Sequence, residues 1–284
     1  MFSGAHVGLD LWSPPLRLAC VLAIVAAIYL RGWVQLRVAL PRVVSIPRLA
    51  AFVAGLLAIW IAVGSPLGVL DHSALTAHMA QHLLVMTIAP PLLLLGAPVV
   101  SLLHGLPRRI VRASRPILAW WWVRWLGRVL GHPAFCLLAA SCALIGWHIP
   151  AAFELALRSD PWHAVARTSF FITGILLWWP VIQPWPSIAR WSPWFVVGYL
   201  FFATLPCDAL SAFLTFYDRS VYSCYRSAPA LFGRSPLQDQ QFAGALMWVW
   251  VTLIYMVPAV WITIQILSPR CHAGSAIQTL KTAP

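Results

Sequence analysis

The sequence predicts an all-α fold, a polytopic integral membrane protein of seven transmembrane helices, on three observations. Of its 284 residues 61% are hydrophobic and only 9% charged, with a mean hydropathy of +0.81, where a soluble domain carries about 25% charged side chains. Seven stretches are apolar enough to span a bilayer, which takes about 20 residues each. Lys and Arg gather in alternate loops between them, the pattern of cytoplasmic loops in a membrane protein. Such a chain needs lipid as its solvent.

In order, the spans cover approximately 16–32, 49–67, 77–104, 133–150, 165–183, 194–216 and 242–266 of a single membrane domain, 1–284. The opening MFSGAHVGLDLWSPPLRLAC has no basic n-region, and no small-x-small site follows its apolar run. The first span is therefore expected to be retained rather than cleaved as a signal peptide. The third is too long for one straight crossing at 1.5 Å per residue. Either its first turns project past the hydrocarbon or it bends at Pro90-Pro91, since proline removes intrahelical bonds. Trp120, Trp121, Trp122 and Trp125 read as an inner interfacial segment, not a span. Trp178, Trp179, Trp185, Trp191 and Trp194 belong to the inner aromatic belt, Trp147 and Trp162 to the outer one, rings at headgroup depth. No internal repeat or second domain is indicated.

Thirteen basic residues (Arg31, Arg37, Arg42, Arg48, Arg108, Arg109, Arg112, Arg115, Arg124, Arg128, Arg190, Arg270 and Lys281) lie on one side, and six of the 19 on the other. The richer side is cytoplasmic, so the N-terminus is outside and the C-terminus inside, in agreement with an odd number of spans. This bias accounts for the net charge of +12 and pI near 10.4 without nucleic acid, for which no basic amphipathic helix or aromatic-basic platform is visible. Six cysteines include no Cys-x-x-Cys, so neither a redox pair nor a thiolate metal clip is indicated. Cys20, Cys136 and Cys142 read as apolar filler.

The chain is organised around Asp71–Pro98, DHSALTAHMAQHLLVMTIAPPLLLLGAP. It places His78, His82 and Met86 four residues apart, in a row on one helix face. Sorted by side, His72, His78, His82, His148 and His163 all fall at or near the outer membrane face, while His104, His132 and His272 fall inside and His6 in the outer tail. The seventh span adds Asp239 and Gln240, with Met247 two turns on along the Asp239 face. Asp208, preceded by Cys207, is the one carboxylate expected within the membrane.

Polar groups in a bilayer are costly and mark function. Imidazoles, thioethers and carboxylates converging at one depth read as a metal site or a proton and ligand path. Imidazole plus thioether without a thiolate set favours Cu(I), bound transiently through an incomplete ligand set. The expected ligands are His78, His82, Met86, His148, His163 and Met247, with His72, Asp239, Asp208 and Cys207 as weaker candidates. Alone, a helix-end histidine is ordinarily an interfacial hydrogen-bonder, and Met79, Met86, Met247 and Met256 are ordinarily packing residues. Two alternatives stay open: a copper transporter entered at the same site, and a haem protein with two facing axial histidines. No nucleophile–base pair supports an enzyme.

The segments HMAQHLLVMTIAPPLLLLGAP (78–98), WHIP (147–150), GILLWWP (174–180) and LQDQQFAGALMW (237–248) resemble, in that order, the signature segments of the CtaG family. These are bacterial membrane proteins implicated in cytochrome c oxidase assembly, similar to the module fused to copper-resistance membrane domains. The likeness covers roughly 71–265. It implies seven helices in the bacterial cytoplasmic (inner) membrane and a non-enzymatic role in oxidase maturation. Copper would be delivered to nascent cytochrome c oxidase subunits, with other copper chaperones as possible partners. His78, Gln81, His82, Met86, Trp147, His148, His163, Asp239, Gln240 and Met247 match the family's polar pattern. Gln81, Gln240, Pro90 and Pro91 are expected to be structural. In one departure, Arg167 stands where relatives often carry a second histidine after the one matching His163. An unrelated single-span oxidase copper chaperone shares the family name but uses a cysteine pair absent here.

Overall fold

The computed structural model describes residues 14–37, 44–184, 191–226 and 233–268. His6, Arg42, Trp185, Arg190, Arg270, Cys271, His272 and Lys281 lie outside the described residues, which contain helices and no strand. The elements are α1 (Leu16–Arg37), α2 (Ile46–Ile59) with a π-helical turn at Trp60–Gly64, a short α3 (Leu67–Leu70), and α4 (Leu75–Leu83) with a second π turn at Leu84–Ile88. They continue with α5 (Ala89–Leu95), α6 (Pro98–Gly105), α7 (Arg108–Ala119), α8 (Trp121–Leu130), α9 (Pro133–His148), α10 (Pro150–Arg158), α11 (Asp160–Ile182), α12 (Pro193–Phe216) and α13 (Pro236–Leu267). Among the described residues six segments are long and apolar enough to cross a membrane, Leu75–Leu95 counting as one. The pair α8 and α9, bent by 67°, gives a seventh if taken as one broken span.

Proline sets most of the boundaries, and it sets them differently from the expectation. The third span does not run on to 104. Gly96 closes it, Ala97 adopts a left-handed φ of 49°, and Pro98 starts the separate α6. Pro90-Pro91 does not break the helix either. In the π turn just before it, the Ala89 N–H reaches back five residues to the Leu84 carbonyl, and the pair falls in the first turn of α5, where a missing N–H is tolerated. Span four stops at His148 because Ile149, ahead of Pro150, is extended, the conformation proline imposes on its predecessor. Spans five and seven start earlier than expected, at Asp160 and Pro236, each with proline at a first-turn position where no N–H is needed. One further expectation is corrected: Arg108–Ala119 is a basic amphipathic helix. With the exposed Trp120, Trp121, Trp122 and Trp125 beside it, it suits an interface.

Spans three to seven enclose the main core. Helix α12 lies along α13, α13 packs on α4, α11 packs on the second π turn and α5, and α9 packs on α11 and α12. Helices α1 and α2 form an outer layer on α6 and α5, where Tyr29 stacks on Phe52 at 3.7 Å and donates to the Gly96 carbonyl at 2.8 Å. Small residues let helices approach closely in lipid. At Gly174 of α11 an added Cβ would lie 2.6 Å from the Met86 carbonyl oxygen. Since successive spans alternate in direction, the starts of spans three, five and seven share one end of the bundle with the ends of spans two, four and six. That end holds the site.

Candidate metal centre

His78 and His82 stand one turn apart on α4 and His163 in the first turns of α11. All three are buried, and one ring nitrogen from each lies within 4.8 Å of the other two. The His78 and His163 rings run nearly parallel, centroids 5.4 Å apart. The Nε2 atoms of His78 and His82 are 2.7 Å apart, so one ring donates to the other, while both Nδ1 atoms are buried without a partner. The Nε2 of His163 is likewise without a hydrogen bond. The trio fits a cation at three Nε2 atoms: that of His163 is open, and binding at both Nε2 atoms of the pair needs only a move of the shared proton to an unpartnered Nδ1. Metal–nitrogen bonds of about 2 Å would part the two Nε2 atoms to roughly 3–4 Å.

Asp71 is fully buried, with neither carboxylate oxygen hydrogen-bonded. Its oxygens lie 3.6 Å from Nε2 of His163 and 3.6 Å from Nε2 of the exposed His72, and the three form a second potential ligand group. Burial pushes the Asp71 carboxyl up to about 6, against the pull of His72 and the Arg167 guanidinium. Arg167, one turn after His163, thus places a fixed charge near the carboxylate where the family pattern has an imidazole.

His148, at the end of α9, is arranged differently. Its Nδ1 donates to the Leu144 carbonyl at 2.7 Å, and its Nε2 faces the Met79 sulfur at 3.3 Å. Below it a small cavity of about 30 Å³ is lined by Met79, His82, Met86, His148, Cys207 and Met247 among others. A cap covers the imidazoles at this end of the bundle. Phe153 of α10 lies 4.8 Å from the His78 ring and stacks on Tyr222 at 3.9 Å. Tyr222 donates to the His148 carbonyl at 3.1 Å and Tyr225 to the Asp71 carbonyl at 2.6 Å.

The structure brings His72, His78, His82, His148, His163, Met86 and Met247 to this end of the bundle. Asp239 is engaged elsewhere: its carboxylate accepts the Leu75 N–H at 2.7 Å, the Thr76 N–H at 3.4 Å and the Thr76 hydroxyl at 2.5 Å, and so caps α4. Cys207 lines the cavity and contacts the Ser211 hydroxyl at 3.8 Å, whereas Asp208, the next residue, lines no part of it. Gln81 donates to the Ala62 carbonyl at 2.9 Å and Gln240 bonds three backbone groups. Pro90 touches the Gly174 crossing. Sequence reasoning missed Asp71, Met79, Phe153, Tyr222 and Tyr225. Asp71 and Met79 lie inside the Asp71–Pro98 stretch itself, so two signals were at hand: a carboxylate beside His72 and a second thioether beside His78.

Residues 27–268 match the family described as cytochrome c oxidase caa3 assembly factor (Caa3_CtaG). Uncharacterized proteins of Mycobacterium bovis and Mycobacterium tuberculosis are each 30% identical over 210 residues, which is 71% of this chain and 31% of theirs. One from Mycobacterium leprae is 26% identical over 227 residues, 78% of this chain and 34% of its own length. The chain thus spans about a third of the length of the curated relatives it matches. No solved structure gives a significant match. A match over most of the chain, which includes the helices that hold the imidazole cluster, assigns it: this multi-pass membrane protein belongs to the cytochrome c oxidase caa3 assembly factor (Caa3_CtaG) family.

Proposed function

We propose that this chain serves cytochrome c oxidase assembly in the bacterial cytoplasmic membrane by taking up Cu(I) at the outer face and passing it to a nascent oxidase subunit. The ion is cargo, held first by His78, His82 and His163. The observation that carries this reading is the three-imidazole cluster with buried nitrogens lacking partners, in a chain of an oxidase assembly family. The basic residues count in favour of an outer location for the cluster. Rigid metal sites fix each ligating imidazole by a bond from its other nitrogen. His78 and His82 have none, which suits an ion that must leave again. A cavity of about 30 Å³ is far below the roughly 300 Å³ of ordinary cofactor pockets and offers a haem no room.

Two experiments test this. Metal analysis of purified protein is expected to find copper in the wild type and less copper per chain in the His78→Ala/His82→Ala variant. Equal stoichiometry would remove these ligands from the proposal. Deletion of the gene should lower oxidase activity, with added copper restoring it. Loss that copper does not rescue would point to scaffolding, and changed intracellular copper in a strain without the oxidase would point to transport.

A further inference from the structure

The four buried histidines do not form one equivalent set. In His148 the Nδ1 contact at 2.7 Å is to a carbonyl oxygen, which can only accept, so Nδ1 carries the proton. In the neutral ring this leaves the Nε2 lone pair directed at the Met79 sulfur, 3.3 Å away, itself an acceptor. Two lone-pair donors therefore face each other, buried, with no proton between them. An apolar filler role for Met79 gives no reason for that arrangement. It is what a shared soft cation would need, because thioether and imidazole together suit Cu(I). With bonds of about 2.0–2.3 Å, nitrogen and sulfur 3.3 Å apart can bind one ion with little movement of either side chain. His148 is also the imidazole whose orientation is fixed by a bond to backbone from its other nitrogen, the usual support of a metal-ligating histidine. Two more thioethers, Met86 and Met247, line the cavity that Met79 and His148 share.

We infer that Nε2 of His148 and the sulfur of Met79 form a second, softer monovalent-metal site, separate from the His78–His82–His163 cluster and completed from the thioethers of the adjoining cavity. This rests on the reading of the chain as a Cu(I) carrier and adds direction to it. From the exposed His72, through the His163 and His78 rings at 5.4 Å steps, donors pass from imidazole and carboxylate to imidazole and thioether. An ion entering along this file meets its softest donors last, and that is where Cu(I) is retained over divalent competitors.

The test uses the full chain in detergent, labelled with 13C at its methionine methyl groups and titrated with Ag(I), a redox-inert stand-in for Cu(I). At one bound equivalent the Met79 methyl resonance, assigned by Met79→Leu, is expected to shift, while that of Met256, exposed on the lipid face, stays in place. The same titration of Met79→Leu should show Ag(I) affinity lowered about tenfold or more, and His78→Ala/His82→Ala should keep the Met79 shift. Ag(I) bound with every methionine methyl unmoved would overturn the second site and leave the imidazole cluster standing. Failure of the wild type to bind Ag(I) or Cu(I) at all would overturn both. The overturning result, every methyl unmoved in the wild type, needs no assignment and so no variant that folds.

Discussion

Gln240, buried on α13, commits its whole amide to backbone: Oε1 accepts the Val221 N–H at 2.7 Å, and Nε2 donates to the Leu214 and Arg219 carbonyls at 3.3 and 3.2 Å. The segment it holds, just after α12, leads into the tyrosines that close the site. Leucine at this position keeps the volume and strands three backbone groups, each costing about 1–3 kcal/mol when left without a partner in a buried place. Gln240→Leu is therefore expected to destabilise the protein by on the order of 2–4 kcal/mol, read as a lower melting temperature of the detergent-solubilised chain. An unchanged melting temperature would mean that water replaces the amide. His78 and His148 make the complementary point. They are the same residue type, both buried, yet only His148 is oriented by a backbone acceptor. The difference lies outside the ring, in whether a carbonyl is within reach.

At the scale of elements, the cap over the imidazoles is α10 joined to the Ser223–Tyr225 turn, and one contact between them can be switched. The Glu154 side chain accepts from the Ser223 hydroxyl, and this bond, with Arg158 and Arg226 nearby, holds its carboxyl below the ordinary value. A carboxyl depressed in the folded state stabilises above its unfolded pKa and loses that contribution as pH falls through the lowered folded value. Amide hydrogen exchange over 150–158 and 223–225 should thus rise as pH is lowered through the acid range, after correction for the intrinsic rate. Glu154→Gln should be fast and without this step at all pH values; identical profiles would show that the latch carries nothing. The cap also shows where sequence reading ran out. The row His78, His82, Met86 was legible because helical periodicity is local, and so were the spans, since hydrophobic length is local too. Met79 facing His148 joins residues 69 apart, and Tyr225 meets Asp71 across 154, pairings no spacing encodes. The surroundings of Pro90-Pro91 were unreadable for another reason: the pair follows a π turn, which no residue type announces and only the hydrogen bonds reveal.

The whole molecule divides into a five-span body around the imidazole cluster and an outer layer of α1 and α2, with separate buried clusters in each. The organising stretch belongs to both: its α4 end holds imidazoles, and its α5 end anchors Phe52 and Tyr29 through Leu93 and Gly96. Two glycine crossings separate these roles. A Cβ at Gly105 of α6 would lie 1.8 Å from the Ile28 carbonyl oxygen of α1, whereas one at Gly174 would lie 2.6 Å from the Met86 carbonyl oxygen in the second π turn. Both contacts are backbone, so neither can be relieved by a rotamer change, and a helix must move instead. Gly105→Leu is expected to free α1, seen as faster hydrogen exchange over 16–37, with copper stoichiometry and affinity unchanged. Gly174→Leu pushes α11 from the π turn and carries His163 and Phe170 away from His78 and His82. Its copper affinity should fall about tenfold or more, together with thermal stability. Copper loss in Gly105→Leu as large as in Gly174→Leu would refute the division, because the outer layer would then be part of the site's own support.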